Sequence, residues 1–134
     1  LAHESQVRGI ATSGWRGRSL SLGIADAVTV LAKSAAVADV AATLIANEVN
    51  VDFTGIEKRP ASEVKDDSDL GMIPVTVVVP DLAEDKIYIA LEQGAKSARK
   101  FIKDGKITAA YLSLQKQTLV IENDDKIERA IINN

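Results

Sequence analysis

The stretch SAAVADVAATLIAN, residues 34–47, decides the reading of this chain. Nearly every position is small or apolar, which predicts a helix buried on most of its surface. Ser34 is a residue type that caps helix N-termini. Asp39, Thr43 and Asn47 stand four residues apart, so three oxygen-bearing side chains share one face, one above the other. A carboxylate on so apolar a helix calls for a partner. A hard cation is one, because magnesium takes one or two carboxylates and other oxygens. An arginine or a backbone amide is the other, with Thr43 bonded back to its own helix.

Before this helix, Ile24 to Leu31 is a β-branched run that reads as a strand buried on both faces. Gln6 to Thr12 reads as a shorter strand with Val7 and Ile10 as its apolar residues. After the helix, Val51 to Ile73 is irregular, with a short helix expected beyond Pro60. Val75 to Val79 is an apolar strand closed by Pro80. Asp81 and Glu84 have the spacing of a capping box. Ile87, Ala90, Leu91, Gly94, Ala95, Ala98, Phe101 and Ile102 then recur at helical spacing. Lys106 to Gln115 and Gln117 to Glu122 read as a terminal hairpin, followed by a polar tail that frays or forms a last short helix. The order strand, strand, helix, strand, helix, strand, strand indicates an α+β fold, a layered sandwich with a mainly antiparallel sheet and packed helices.

The chain has 134 residues, the size of a single domain, and 46% apolar content sustains a real core. A net charge of −3 gives no basic field for nucleic acid. No cysteine is present, so disulfides, thiolate metal sites and cysteine nucleophiles are excluded. No apolar run reaches membrane-spanning length. A cytoplasmic protein is the expectation.

The loop from Thr12 to Gly23 is the second candidate for chemistry. Gly14, Gly17 and Gly23 let a backbone approach a ligand closely. Ser13, Ser19 and Ser21 offer hydroxyls, and Arg16 and Arg18 offer cations matched to phosphate. It contains neither a P-loop nor a dinucleotide-binding glycine pattern. A surface connection with solvated arginines is the alternative. Trp15 plugs the loop against the core or stacks on a flat ring. Glu63, Asp66, Asp67 and Asp69 read as a solvated acidic loop without EF-hand spacing. His3, the sole histidine, supports neither a zinc site nor a nucleophilic triad.

These pieces carry a resemblance. Ala11-Thr12-Ser13-Gly14, the strand Asp26 to Ala32 and the segment Ala38 to Thr43 are similar in order and spacing to the C-terminal part of ApbE-type proteins. Those enzymes are Mg²⁺-dependent flavin transferases. The stretch Gly14 to Gly23 and the Asp67-to-Gly71 segment fit best the uncharacterised, UPF branch of ApbE-like proteins. The resemblance implies a T-fold-like sandwich, a metal at Asp39 and Thr43, and a flavin (FAD or FMN) or other phosphate-bearing ligand near Thr12, Ser13, Gly14, Arg16, Arg18 and Ser21. It also implies that residues 1–134 form one domain corresponding to the C-terminal portion of a longer family member. The transferases carry a histidine and an Asp-Pro pair between the T-S-G turn and the following strand. Here Ser21 to Asp26 has neither histidine nor proline, which weighs toward a non-catalytic ligand-binding or assembly module.

Three further expectations follow. The Ser13–Gly23 loop borders the largest cleft and faces the N-terminus of the alanine helix, where free amides attract anions. The strand Val75 to Val79 is interior. Open strand edges lead to a homo-oligomer or to association with an N-terminal half.

Overall fold

The computed structural model describes residues 7–16, 20–65, 70–122 and 128–132, the last of these as backbone. Gln6, His3, Arg18, Ser19 and the acidic residues Asp66, Asp67 and Asp69 lie outside the described residues.

Strand β1 (Gly9–Ser13) pairs antiparallel with β2 (Ala27–Ala32), Ala11 standing opposite Val30. Helix α1 (Ala35–Glu48) follows β2 directly. Its cap is Ser34, whose Oγ accepts from the backbone N–H of Val37 at 3.1 Å. This satisfies one of the free amides that every helix start presents. Next come β3 (Glu57–Pro60), the single turn α2 (Ala61–Val64), β4 (Pro74–Val78) and the long helix α3 (Glu84–Lys103). Strands β5 (Ile107–Leu114), β6 (Gln117–Glu122) and β7 (Glu128–Ile132) close the chain.

Among the described residues, five strands form one antiparallel sheet in the order β1-β2-β5-β6-β7, while β3 and β4 make a separate two-stranded ribbon. Helix α1 lies on β1 and β2, α3 lies on β5 and β6, and the helices touch each other. This is an α+β fold with two layers. Alternation along the strands sends Val28, Val30, Leu112, Leu119 and Ile121 toward the helices, where they join Ala38, Ala42, Ile45, Leu91 and Ala95 in one core. The core is built from small residues, so the layers come close. A Cβ on Gly94 of α3 would stand 2.4 Å from Val49 Cγ2, which shows how tightly the two helices meet.

Several expectations are corrected here. Helix α1 is buried on one side only, because a two-layer sandwich covers a helix on one side. Ala38, Ala41, Ala42, Ile45 and Ala46 face the core, whereas Val40 is 56% exposed and Val37, Asp39 and Leu44 are exposed too. The strand Val75 to Val79 is not interior to the main sheet. It is the β4 half of the ribbon, with Val75 buried and Val78 exposed. Asp81 does not cap α3, which starts at Glu84 after Ala83 with no side-chain cap. The β5–β6 hairpin is present but not terminal, since β7 pairs with β6 where a frayed tail or helix was expected.

The burial difference along α1 gives a direct test. Ile45→Ala should cost about 2–5 kcal/mol in urea unfolding, the range for emptying a packed core site. Val40→Ala on the same helix should stay within about 0.5 kcal/mol of the parent protein. Equal losses at the two positions would contradict this placement of α1.

Candidate functional site

The direction of α1 fixes where a site can form. β2 runs antiparallel to β1, and α1 returns antiparallel to β2, so α1 runs alongside β1 in the same sense. The loop joining the end of β1 to the start of β2 therefore meets the C-terminal end of α1, not its N-terminus. Hydrogen bonds at both ends of that loop agree with this placement. Trp15 N–H donates to Ala25 O at 3.1 Å, and Ile24 N–H donates to Val49 O at 2.8 Å. The expected approach of this loop to the α1 N-terminus is thereby corrected, and it loses the attraction of free helix amides for anions.

Residues 21–24 are held against the end of α1 by a compact hydrogen-bond network. The side-chain Oδ1 of Asn47 accepts from Leu22 N–H at 3.0 Å and from Ser21 Oγ at 3.3 Å. Ser21 Oγ in turn accepts from Gly23 N–H at 3.1 Å. Leu22 O accepts from Asn50 Nδ2 at 3.1 Å and from Lys58 Nζ at 2.8 Å. Ser21 O accepts from Thr76 N–H at 2.9 Å, joining β4 to the same loop. Gly23 is required here, because a Cβ would stand 2.0 Å from the carbonyl oxygen of Ala46.

Beside this network lies a cleft of about 1000 Å³. Asn47 and Glu48 come to it from α1, and Asn50, Val51, Asp52, Phe53 and Ile56 from the connecting segment. Lys58 comes from β3, and Lys86, Ile89 and Gln93 from α3. Its size is that of small-molecule sites, which typically span about 300–1000 Å³. Apolar walls (Val51, Phe53, Ile56, Ile89) alternate with amides and with charges of both signs. The Lys58 ammonium is held below the ordinary lysine range, chiefly because burial removes water from it, with the Asp52 carboxylate opposing that effect. Directly across the ribbon from Lys58 stands Thr76, whose buried hydroxyl has no hydrogen-bond partner among the described residues.

The residues singled out from sequence do not converge on this cleft. Thr12 lies on β1 with its hydroxyl 2.9 Å from that of Thr29. Its neighbour Ser13 alternates to the other face of the sheet. Gly14 packs on the backbone of Asp26. Arg16 stacks on the Trp15 ring at 5.2 Å and pairs with Asp26 at 3.6 Å. Asp26 Oδ2 also accepts from Gln115 N–H at 2.7 Å, so this pair braces the β5–β6 turn. The Trp15 indole N–H is buried, which suits the plug reading. Ser21 is buried, and its hydroxyl is used within the network above.

Asp39 and Thr43 lie along α1, the first exposed and the second half-buried. Among the described residues, no group of three or more histidine, aspartate or glutamate side chains is arranged to hold a metal. One carboxylate and one hydroxyl suit a magnesium ion that keeps most of its shell as water or phosphate, not one caged by protein alone. The only member of the Asp39–Thr43–Asn47 line that reaches the cleft is Asn47.

Asn50, Phe53, Lys58, Lys86 and Gln93 escaped the sequence reading. Lys86, Ile89 and Gln93 do share one helical face at spacings of three and four, a signal that was available. Nothing in the sequence joins that face to Lys58, which a ribbon brings in from the opposite side.

Comparison with known proteins places the chain among relatives. A family model described as "AbpE bacteria" matches residues 1–134. A UPF0280 protein of Methanopyrus kandleri is 42% identical over 74 residues, which is 54% of this chain and 31% of the relative. The chain thus matches about a third of that relative's length. No solved structure matches the chain.

The network predicts the effect of Gly23→Ala. The added methyl cannot avoid the Ala46 carbonyl without moving the loop off α1. A loss of about 1–3 kcal/mol is expected, together with faster amide exchange at Leu22 and Gly23. Unchanged stability and exchange would show that the loop is not seated as described.

Proposed function

The chain belongs to the bacterial AbpE family, and on that premise we propose that it is a small-molecule-binding protein whose ligand carries a phosphate and occupies the cleft between the end of α1 and the first turns of α3. One observation carries this reading. Two lysines and the amides of Asn47, Asn50 and Gln93 converge with Phe53, Ile56 and Ile89 on a single concavity. The two ammonium groups and the amides of Asn47 and Gln93 suit a phosphate, while the Asn50 amide protons go to Leu22 O and Asn47 O, and an aromatic and aliphatic wall suits a flat ring. The resemblance to flavin transferases makes FMN or FAD the first ligands to test. The absence of histidine and proline from Ser21 to Asp26 favours binding over flavin transfer. If magnesium takes part, Asp39 and Thr43 would hold it with water completing its shell, apart from a ligand in the cleft, since neither residue lines that cleft.

Calorimetry with FMN, FAD and ADP, each with and without Mg²⁺, tests the reading. Saturable binding of at least one of them is expected, weakened about tenfold in Lys86→Met by loss of a charge-assisted contact. If none binds, the reading fails. Asp39→Asn should weaken Mg²⁺ binding titrated without ligand. Unchanged Mg²⁺ affinity would place the metal elsewhere.

Association is a separate proposal. Among the described residues β1 is an edge strand of the sheet, and Ile10 on it is 65% exposed. Edge strands invite pairing with another chain, so a homodimer through β1 is expected in light scattering at micromolar concentration. A monomer that persists across a broad concentration series would refute it.

A further inference from the structure

We infer that Lys58 fixes the cleft's preference for an anionic group on its ligand, held in place for that role by the Leu22 carbonyl and the Asn50 amide. The inference rests on the cleft being the ligand site. An ammonium group has three protons and no acceptor. Lys58 Nζ donates to Leu22 O at 2.8 Å and makes a longer contact with Asn50 Oδ1 at 3.4 Å. At least one proton is left for the cleft that Lys58 lines. A lysine normally loses much rotamer freedom when it binds a ligand. Here one short and one longer acceptor contact already orient the amine, so an incoming oxygen meets a partly preorganised donor.

The acceptors are themselves fixed. Leu22 is tied to Asn47 through its own N–H, and Asn50 Nδ2 donates to both Leu22 O and Asn47 O. Lys58, Asn50 and Asn47 therefore both line the cleft and hold the loop. Across the ribbon, the unpartnered Thr76 hydroxyl shares the face of Lys58, since directly opposed residues share a face. The other charged groups of the cleft are Glu48 from α1, Asp52 from the connecting segment and Lys86 from α3. Lys86 has no such fixed acceptors among the described residues, so it supplies charge without the same orientation.

Partial burial also gives Lys58 a titration signature. Its ammonium loses its proton at lower pH than an ordinary lysine. A bound phosphate favours the charged form, so phosphate binding weakens as pH rises through the amine's own pKa, below the ordinary lysine value of about 10.4. FMN and riboflavin are the probes, because they share the ring and differ by the phosphate. The preference of the parent protein for FMN over riboflavin should fall about tenfold in Lys58→Gln. Riboflavin affinity should change much less than FMN affinity, and the part of the alkaline loss of FMN binding that sets in below the ordinary lysine range should disappear. Lys58→Met provides a second variant, with cooperative melting confirming that each is folded. If the parent binds FMN but both variants keep its preference and its pH profile, the assignment to Lys58 is overturned and the cleft reading stands. If the parent binds neither probe nor any ligand in the calorimetric series, both are overturned.

Discussion

The side chain of Asn47 is the point on which the candidate site depends. Its oxygen takes two donors from the loop that precedes β2, and its backbone carbonyl takes the amide of Asn50. These bonds turn the end of α1 into a wall rather than a frayed terminus. The loop then supplies the Leu22 carbonyl, which fixes Lys58, and the Ser21 carbonyl, which fixes β4. Without the Asn47 oxygen, the Leu22 N–H and the Ser21 hydroxyl would have to find other partners, at about 1–3 kcal/mol for each one left buried.

Charge balance explains why the cleft suits a phosphate without being basic. Lys58 and Lys86 are matched by Glu48 and Asp52 in the same concavity. Such a site gives little long-range attraction, in keeping with the net charge of −3. On the proposed reading, its selectivity would come from donors at short range, above all from an ammonium already drawn toward the Leu22 carbonyl. In the loop that composition offers as a phosphate site, the described arginine, Arg16, stacks on Trp15 and pairs with Asp26, and Asp26 also accepts from Gln115, which sits at φ +53° in the β5–β6 turn.

The elements were legible where the pattern is local. Ser34 and the alanine run gave α1 almost to the residue. The spacing from Ile87 to Ala98 gave α3, and the apolar strands on either side of Gln115 gave the hairpin. The α+β class followed from their order. Errors arose where tertiary context decides. Val75 to Val79 has the composition of an interior strand, but its only strand partner among the described residues is the short β3. Asp81 has the right spacing for a cap, yet the helix starts after Ala83. The cleft was illegible because Asn47, Lys58 and Lys86 meet only after the chain has turned through a helix, a ribbon and a second helix. The misplacement of the Ser13–Gly23 loop was avoidable. Two antiparallel strands followed by a returning helix put the first connection at the helix C-terminus, and the sequence already contained those three elements in that order.

Ligand binding at the end of α1 can be located by titrating FMN into ¹⁵N-labelled protein and following backbone amide shifts. The perturbed amides should cluster at Asn47 to Lys58 and at Lys86 to Gln93, with Leu22 shifting alongside them. Shifts confined to Ser13–Arg16 and Asp39–Thr43, with the cleft residues unmoved, would contradict that location.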